Sequence, residues 1–466
     1  MGIEKRLRFE IKKCRKCEAC RELVGFSCLV FPEMFALVDR ERDTNEKIST
    51  ADLNRLTDLC NFCGACPCLD IRAALLEYKT DQVEKNGLPL KIRAIENVEL
   101  IGRVSSAFPK AANFVLQNKT ARKLLQEAVG IHEKRQMPIV GKESLNTWFN
   151  KKKAGDGRHG GRKRKVAYFA GCSARYLFPE VGRALVNILE QNECDVHFFP
   201  QRCCGMPTFL EGDRKKTLAL ASFNLDRMAE VIKDGYEIVC SCPTCGYFLK
   251  VMLTGGFGVF SGLENSVPSD GILKIPKEKD TLTTDGQEYY HVSEKVMRHV
   301  VKSNDYFSSL DPGIRNRVAD HTFDAGEYLM RLYEKDELNM AFSPAPGKVT
   351  YFPPCHQREQ RIGQPYVSIL KLIGGTDVEA INGEYCCGNG GIMGFKKDFF
   401  RHSLRIGSRL VTKVRSANPD VLSTECLSCR MQLDQMTVYR VKHPLEILEA
   451  CYASYTKPSV QADKKN

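Results

Sequence analysis

VAYFAGC at residues 166–172 returns as VTYFPPC at residues 349–355, and the rest of each stretch follows the same plan. Cys203-Cys204-Gly205 matches Cys386-Cys387-Gly388, and Cys242-x-x-Cys245 matches Cys426-x-x-Cys429. The offset is 183 residues for the first three cysteines and 184 for the last two. A single inserted residue over such a span marks two copies of one structural unit. In each copy a β-rich run opens the unit. A helical stretch follows, with Val181, Leu185, Ile188 and Leu189 on one face in the first copy and Tyr366, Ile369, Leu370 and Ile373 in the second. Further strands are predicted at 195–199 and 237–241, then at 377–381 and 420–423. Strands alternating with helices predict α/β units on largely parallel sheets. Every cysteine group comes just after a predicted strand, so each set of five should gather at the carboxyl edge of its sheet, where such folds place ligands.

The segments around the repeats read differently. Residues 1–110 are predicted helical and polar, residues 111–165 a helical connector and linker, 166–348 the first repeat with an insertion, and 349–466 the second. The insertion reads as turn-rich pieces and one helix from about His321 to Leu338. The fold class expected is therefore multidomain, a mainly α N-terminal unit, read from its two cysteine runs as a two-cluster ferredoxin domain, followed by two α/β cysteine-rich repeats. The N-terminal unit is expected to be removable without unfolding the repeats.

The chain has 466 residues, a net charge of +12 and 21 cysteines. A chain of this size needs no disulfide staples to build a core. The N-terminus, MGIEKRLRFEIKK, lacks the apolar core of a secretory signal, so a cytoplasmic location is expected. In that reducing setting thiols point to metal or catalysis. The basic excess is local: NKKKAGDGRHGGRKRK at 150–165 contributes +7 and leaves +5 for the remainder. The run reads first as a solvated linker, and second as a docking element for an acidic partner or the cytoplasmic membrane face. With no aromatic residue among its charges it does not read as a nucleic-acid binder.

Cys14-x-x-Cys17-x-x-Cys20, followed by Cys28, and Cys60-x-x-Cys63-x-x-Cys66, followed by Cys68, are two runs of the kind that wraps a cubane [4Fe–4S] cluster. Zinc is the alternative, since C-x-x-C pairs also bind it, but zinc does not call for a third cysteine at the same spacing twice. A crossed arrangement is expected: Cys14, Cys17, Cys20 and Cys68 on one cluster, and Cys60, Cys63, Cys66 and Cys28 on the other. In an extended Cys66-Pro67-Cys68 segment both side chains point the same way, so a bend is needed to separate the two ligands. Cys172, Cys203, Cys204, Cys242 and Cys245, and Cys355, Cys386, Cys387, Cys426 and Cys429, form two matched sets. Adjacent cysteines suit a more open cluster, and the glycine after each pair permits a sharp turn. Cys194, Cys240 and Cys451 stand outside the pattern and read as buried small apolar residues.

On these residues the repeats resemble the cysteine-rich CCG domains of heterodisulfide reductases. The whole arrangement resembles heterodisulfide-reductase D-type and anaerobic glycerol-3-phosphate dehydrogenase C-type iron–sulfur subunits. The resemblance extends to GIHEKRQMPIVGKESLNTWF at 130–149, Cys203-Cys204-Gly205-Met206-Pro207, Cys387-Gly388-Asn389-Gly390-Gly391 with Gly394-Phe395-Lys396-Lys397, and His443-Pro444-Leu445. It implies two cubanes near the N-terminus and up to two noncubane [4Fe–4S] clusters in the CCG repeats. The glycerol-phosphate type lacks the full terminal Cys-x-x-Cys in its first repeat, whereas this chain keeps Cys242-Pro243-Thr244-Cys245, which tilts the resemblance toward the heterodisulfide-reductase type. There is no G-x-G-x-x-G after a strand and no P-loop, so neither NAD nor FAD is expected on this chain. An electron-transfer subunit working with a flavoprotein or another iron–sulfur partner is the first functional expectation. Disulfide reduction by the chain itself, at the noncubane clusters, is the second. No catalytic residue is assigned.

Overall fold

The computed structural model describes residues 2–24, 28–63, 66, 68–155, 164–255, 272–276, 289–293, 306–344, 347–383 and 385–453. Pro67 and residues 156–163 lie outside them. The expected bend at Pro67 and most of the basic linker therefore lie outside the described residues. The linker is shorter than its charge run, because residues 150–155 finish the helix Leu145–Gly155 and Arg164 and Lys165 open the first strand.

Ten strands are described: β1 (Arg164–Phe169), β2 (Cys194–His197), β3 (Glu237–Cys240), β4 (Ile272–Pro276), β5 (Tyr289–Ser293), β6 (Thr322–Asp324), β7 (Lys348–Tyr351), β8 (Asp377–Ala380), β9 (Val421–Ser423) and β10 (Val441–Lys442). They form two four-stranded sheets, ordered β2-β1-β3-β6 and β10-β9-β7-β8, and a separate β4–β5 hairpin. Every pair in the two large sheets is parallel. Val166 faces Val196 and Glu237, and its counterpart Val349 faces Val378 and Val421. The repeat thus runs through four strands, not three. Each fourth strand leads into a helix, Ala325–Glu334 or Pro444–Ala453.

The His321–Leu338 expectation needs correction on this point. Thr322–Asp324 completes the first sheet, and the helix begins only at Ala325, where the Asp324 side chain accepts the Gly326 N–H in a capping box with Glu327. Apolar periodicity does not separate a three-residue buried strand from the first turn of a helix. A second helix, Pro312–Asp320, precedes it where turns were expected.

The two repeats share one core. Val166, Tyr168, Leu185 and Leu189 of the first pack in a continuous cluster with Val349, Tyr351, Ile369, Leu445 and Leu448 of the second. His443 stitches them: its ring is fully buried, with Nε2 3.0 Å from the Ser241 carbonyl and Nδ1 accepting the Leu445 N–H at 3.1 Å. Burial pushes its pKa down to about 3. The folded state therefore holds this ring neutral at pH values where the unfolded chain, titrating near 6.5, takes a proton. The stability it contributes is present above about pH 6.5 and is lost as pH falls toward 3. Expected outcome: the urea midpoint drops on acidification below about pH 6.5, and the drop is shallower in His443→Asn. Equal slopes in the two proteins would remove His443 from the account.

Helices from Ile3 to Val129 build the N-terminal part, whose core gathers Leu7, Phe31, Met34, Leu53, Leu56 and Tyr78. It is sealed to the repeats by buried charge. Arg72, 1% exposed, pairs with Glu359 at 3.1 Å. Glu211 of the first repeat takes Lys396 of the second at 2.7 Å and Lys79 of the N-terminal part at 3.6 Å. Removing residues 1–110 would take Arg72 from Glu359, which keeps the Tyr247 hydroxyl, and Lys79 from Glu211, which keeps Lys396. No helix among the described residues is long and apolar enough to cross a membrane.

Candidate metal centres

Each repeat brings its five cysteines together at the carboxyl ends of its strands. In the first, Cys172 follows β1, Cys203 and Cys204 follow β2, and Cys242 caps the short helix Pro243–Tyr247 after β3. Gly171 has φ +62°, and a Cβ there would lie 2.7 Å from the Cys245 sulfur. Only glycine lets the chain pass so close to that thiol. The loop is pinned by Gln201, whose Oε1 accepts the N–H groups of Ala170 and Gly171 at 2.8 and 3.1 Å. Cys203 lies with its sulfur 3.7 Å from that of Cys172.

The second repeat copies this plan. The glycines after the two cysteine pairs, Gly205 and Gly388, have φ +108° and +87°. Backbone N–H groups point at sulfur: Gly388 to Cys386 at 3.3 Å, Asn389 to Cys387 at 3.5 Å and Cys429 to Cys426 at 3.4 Å. In both repeats the second cysteine of the pair is the hub. Hydrogen bonds from Cys203 and Cys245 pull the Cys204 thiol down to about 6. Those from Cys386 and Cys429 pull Cys387 well below its ordinary value. One thiolate held by its neighbours is the form that ligates metal.

The sequence did not show that the two sets face each other. Cys172, Cys204, Cys242 and Cys245 line one cavity together with Cys355, Cys386, Cys387, Cys426 and Cys429. Its volume is about 120 Å³. His356 also lines it, with Nδ1 2.9 Å from Thr244 Oγ1 in the first repeat and Nε2 3.3 Å from the Phe62 carbonyl. Nothing in the sequence singles out His356 except its position directly after Cys355.

The N-terminal cysteines fall into two groups. Cys28, Cys60, Cys63 and Cys66 line a small pocket walled by Phe31, Phe62 and Arg72. Phe62 has φ +55°, an unusual setting for a bulky side chain and one that costs strain at the turn carrying Cys60 and Cys63. Burial, with the charges of Cys20, Cys68 and Cys17, raises the Cys14 thiol to about 12. Cys63 lines both its own pocket and the cavity between the repeats. Cys194, Cys240 and Cys451 are buried within the apolar clusters.

The donor set suits iron–sulfur clusters. It consists of thiols around enclosed spaces, with backbone N–H groups turned to sulfur.

Residues 166–250 and 349–434 match the cysteine-rich domain family CCG. The chain carries two CCG domains. Among its relatives is the C-type subunit of the anaerobic glycerol-3-phosphate dehydrogenase of Escherichia coli K12, 24% identical over 361 residues that cover 77% of this chain and 76% of the relative. Lactate utilization protein A of an Exiguobacterium strain is 23% identical over 291 residues, 61% of this chain and 94% of the relative. The B-type subunit of the fumarate reductase (CoM/CoB) of Methanothermobacter marburgensis is 24% identical over 299 residues, 62% of this chain and 47% of the relative. Two of these relatives are named as subunits, one of a dehydrogenase and one of a reductase.

Proposed function

We propose that the chain is the electron-relay subunit of an anaerobic oxidoreductase complex and carries four iron–sulfur sites. Cys14, Cys17, Cys20 and Cys68 would hold one cubane and Cys28, Cys60, Cys63 and Cys66 the other. Each five-cysteine CCG set would hold a noncubane cluster. Such clusters supply one-electron carriers whose potential is tuned by surrounding charge and hydrogen bonds. The observation that supports the relay most strongly is Cys63, which lines both an N-terminal pocket and the CCG cavity. An electron passed to the CCG sites need not leave the protein interior. A flavoprotein or a further iron–sulfur subunit is the partner this reading calls for, and two relatives carry subunit names of a dehydrogenase and a reductase.

Disulfide reduction by the chain itself is the weaker reading. Small-molecule sites enclose about 300–1,000 Å³, whereas the CCG cavity has about 120 Å³ and its walls are the ligand thiols themselves. Clusters would occupy the space a substrate needs. Anaerobically purified protein should be brown and hold about 16 irons, the total for two cubanes and two four-iron CCG clusters. The isolated chain, given an artificial donor, should not turn over a disulfide. Colourless protein with tightly held zinc would sink the relay, and steady turnover would favour the catalytic reading.

A further inference from the structure

The internal repeat allows the surroundings of the two CCG sites to be compared position by position, and they differ in charge. Arg135, from the connector, is 1% exposed. Its guanidinium donates to the side-chain oxygens of Asn389 and Gln432, and to that of Gln435 at 3.0 Å. It lies over the rings of Phe395 and Phe400, at 5.1 and 5.9 Å. Among the described residues no carboxylate pairs with it. Asn389 follows the second Cys-Cys-Gly and donates its N–H to the Cys387 sulfur, while Gln432 lies three residues beyond Cys429. At the offsets of the repeat, the three acceptors correspond to Met206, Phe248 and Val251. The niche that holds a cation behind the second site is apolar behind the first.

The arginines near the two sites are also paired differently. Arg175 and Arg358 are repeat equivalents. Arg175 has Glu99 at 3.7 Å, and the same carboxylate accepts the Cys203 N–H at 3.3 Å and pairs with the exposed Arg103. Arg358 donates to the carbonyls of Pro353 and Tyr385. Glu425, beside Cys426, is fully buried and accepts the Tyr351 hydroxyl at 2.7 Å. A buried cation without a counter-charge is costly. The anionic sulfur site is the available compensation.

We propose that Arg135 is a positioning residue that sets the second CCG site at a higher reduction potential than the first, so that an electron entering the shared cavity settles on the second repeat. The inference rests on reading the ten cysteines as cluster ligands. A fixed positive charge in a poorly screened interior favours the form with one more electron, and the one-electron donor is the reduced N-terminal iron–sulfur site.

The test is a redox titration followed by electron paramagnetic resonance in a Cys204→Ala background, which leaves only the second CCG signal. Arg135→Gln should lower its midpoint by at least the tenfold change in reduced-to-oxidised ratio that equals about 59 mV for one electron. Arg135→Lys should restore part of it. Gln432→Glu, which gives the guanidinium a carboxylate without removing it, should shift the midpoint in the same direction. That variant decides the matter if Arg135→Gln loses its second-repeat iron. Iron retained with an unmoved midpoint would overturn the role of Arg135 alone. An iron-free parent protein would overturn the cluster reading, and this proposal with it.

Discussion

In anaerobically prepared protein, Cys204→Ala is expected to remove the iron of the first repeat and spare the second, and Cys387→Ala to do the reverse. Each substitution deletes the sulfur on which its neighbours converge, Cys203 and Cys245 in one case, Cys386 and Cys429 in the other. The remaining thiols would be left around an enclosed space without their central ligand. Each set hangs from its own strands, and the ligand loops are braced separately, by Gln201 in the first repeat and by Arg135 through Asn389 and Gln432 in the second. About a quarter of the iron, some four atoms of about 16, should therefore disappear in each variant. Because all but one of the ten thiols line a common cavity, the opposite result is informative too. Loss of every noncubane signal from either single substitution would mean that the two sets share one cluster.

Glu211→Ala should be among the most damaging substitutions outside the cysteines. Glu211 is buried and held in its charged form by Lys79 and Lys396, against the cost of its own burial. Lys79 also reaches Asp58 at 3.2 Å, but Lys396 pairs with no other carboxylate among the described residues. Removing Glu211 leaves the Lys396 ammonium buried without a counter-charge, where the N-terminal part meets both repeats. Breaking a buried pair from one side costs about 3–5 kcal/mol. The urea midpoint should fall accordingly, and Glu211→Gln should fare little better because it restores shape but not charge. Glu211→Leu combined with Lys396→Met should recover most of the loss, since it removes both charges at once. A midpoint unchanged in Glu211→Ala would show that the seam is hydrated and carries little of the stability.

The residues read alone were enough for the repeated unit, its parallel α/β character and the placing of the repeats' cysteine groups just after their strands. These are local matters: an alternating strand and helix pattern, a glycine after each cysteine pair, and sulfur spacings set by a few bonds of chain. Val166 and Val349 show it, each on an inner strand of its sheet. The fourth strand of the first unit was hidden, because Thr322–Asp324 is too short for periodicity to register and lies beyond a long insertion. Only the tertiary structure decided what depends on groups far apart in sequence. It turned the two cysteine sets toward one cavity and set Cys63 in its wall. It brought His356 between Thr244 and the Phe62 carbonyl, sealed the N-terminal part to the repeats through Glu211, and carried Arg135 from the connector to the back of the second site. The physical reason is the same throughout. Spacing along a chain fixes which groups can share one turn, whereas a buried charge or an enclosed cavity exists only once separate elements have excluded water between them.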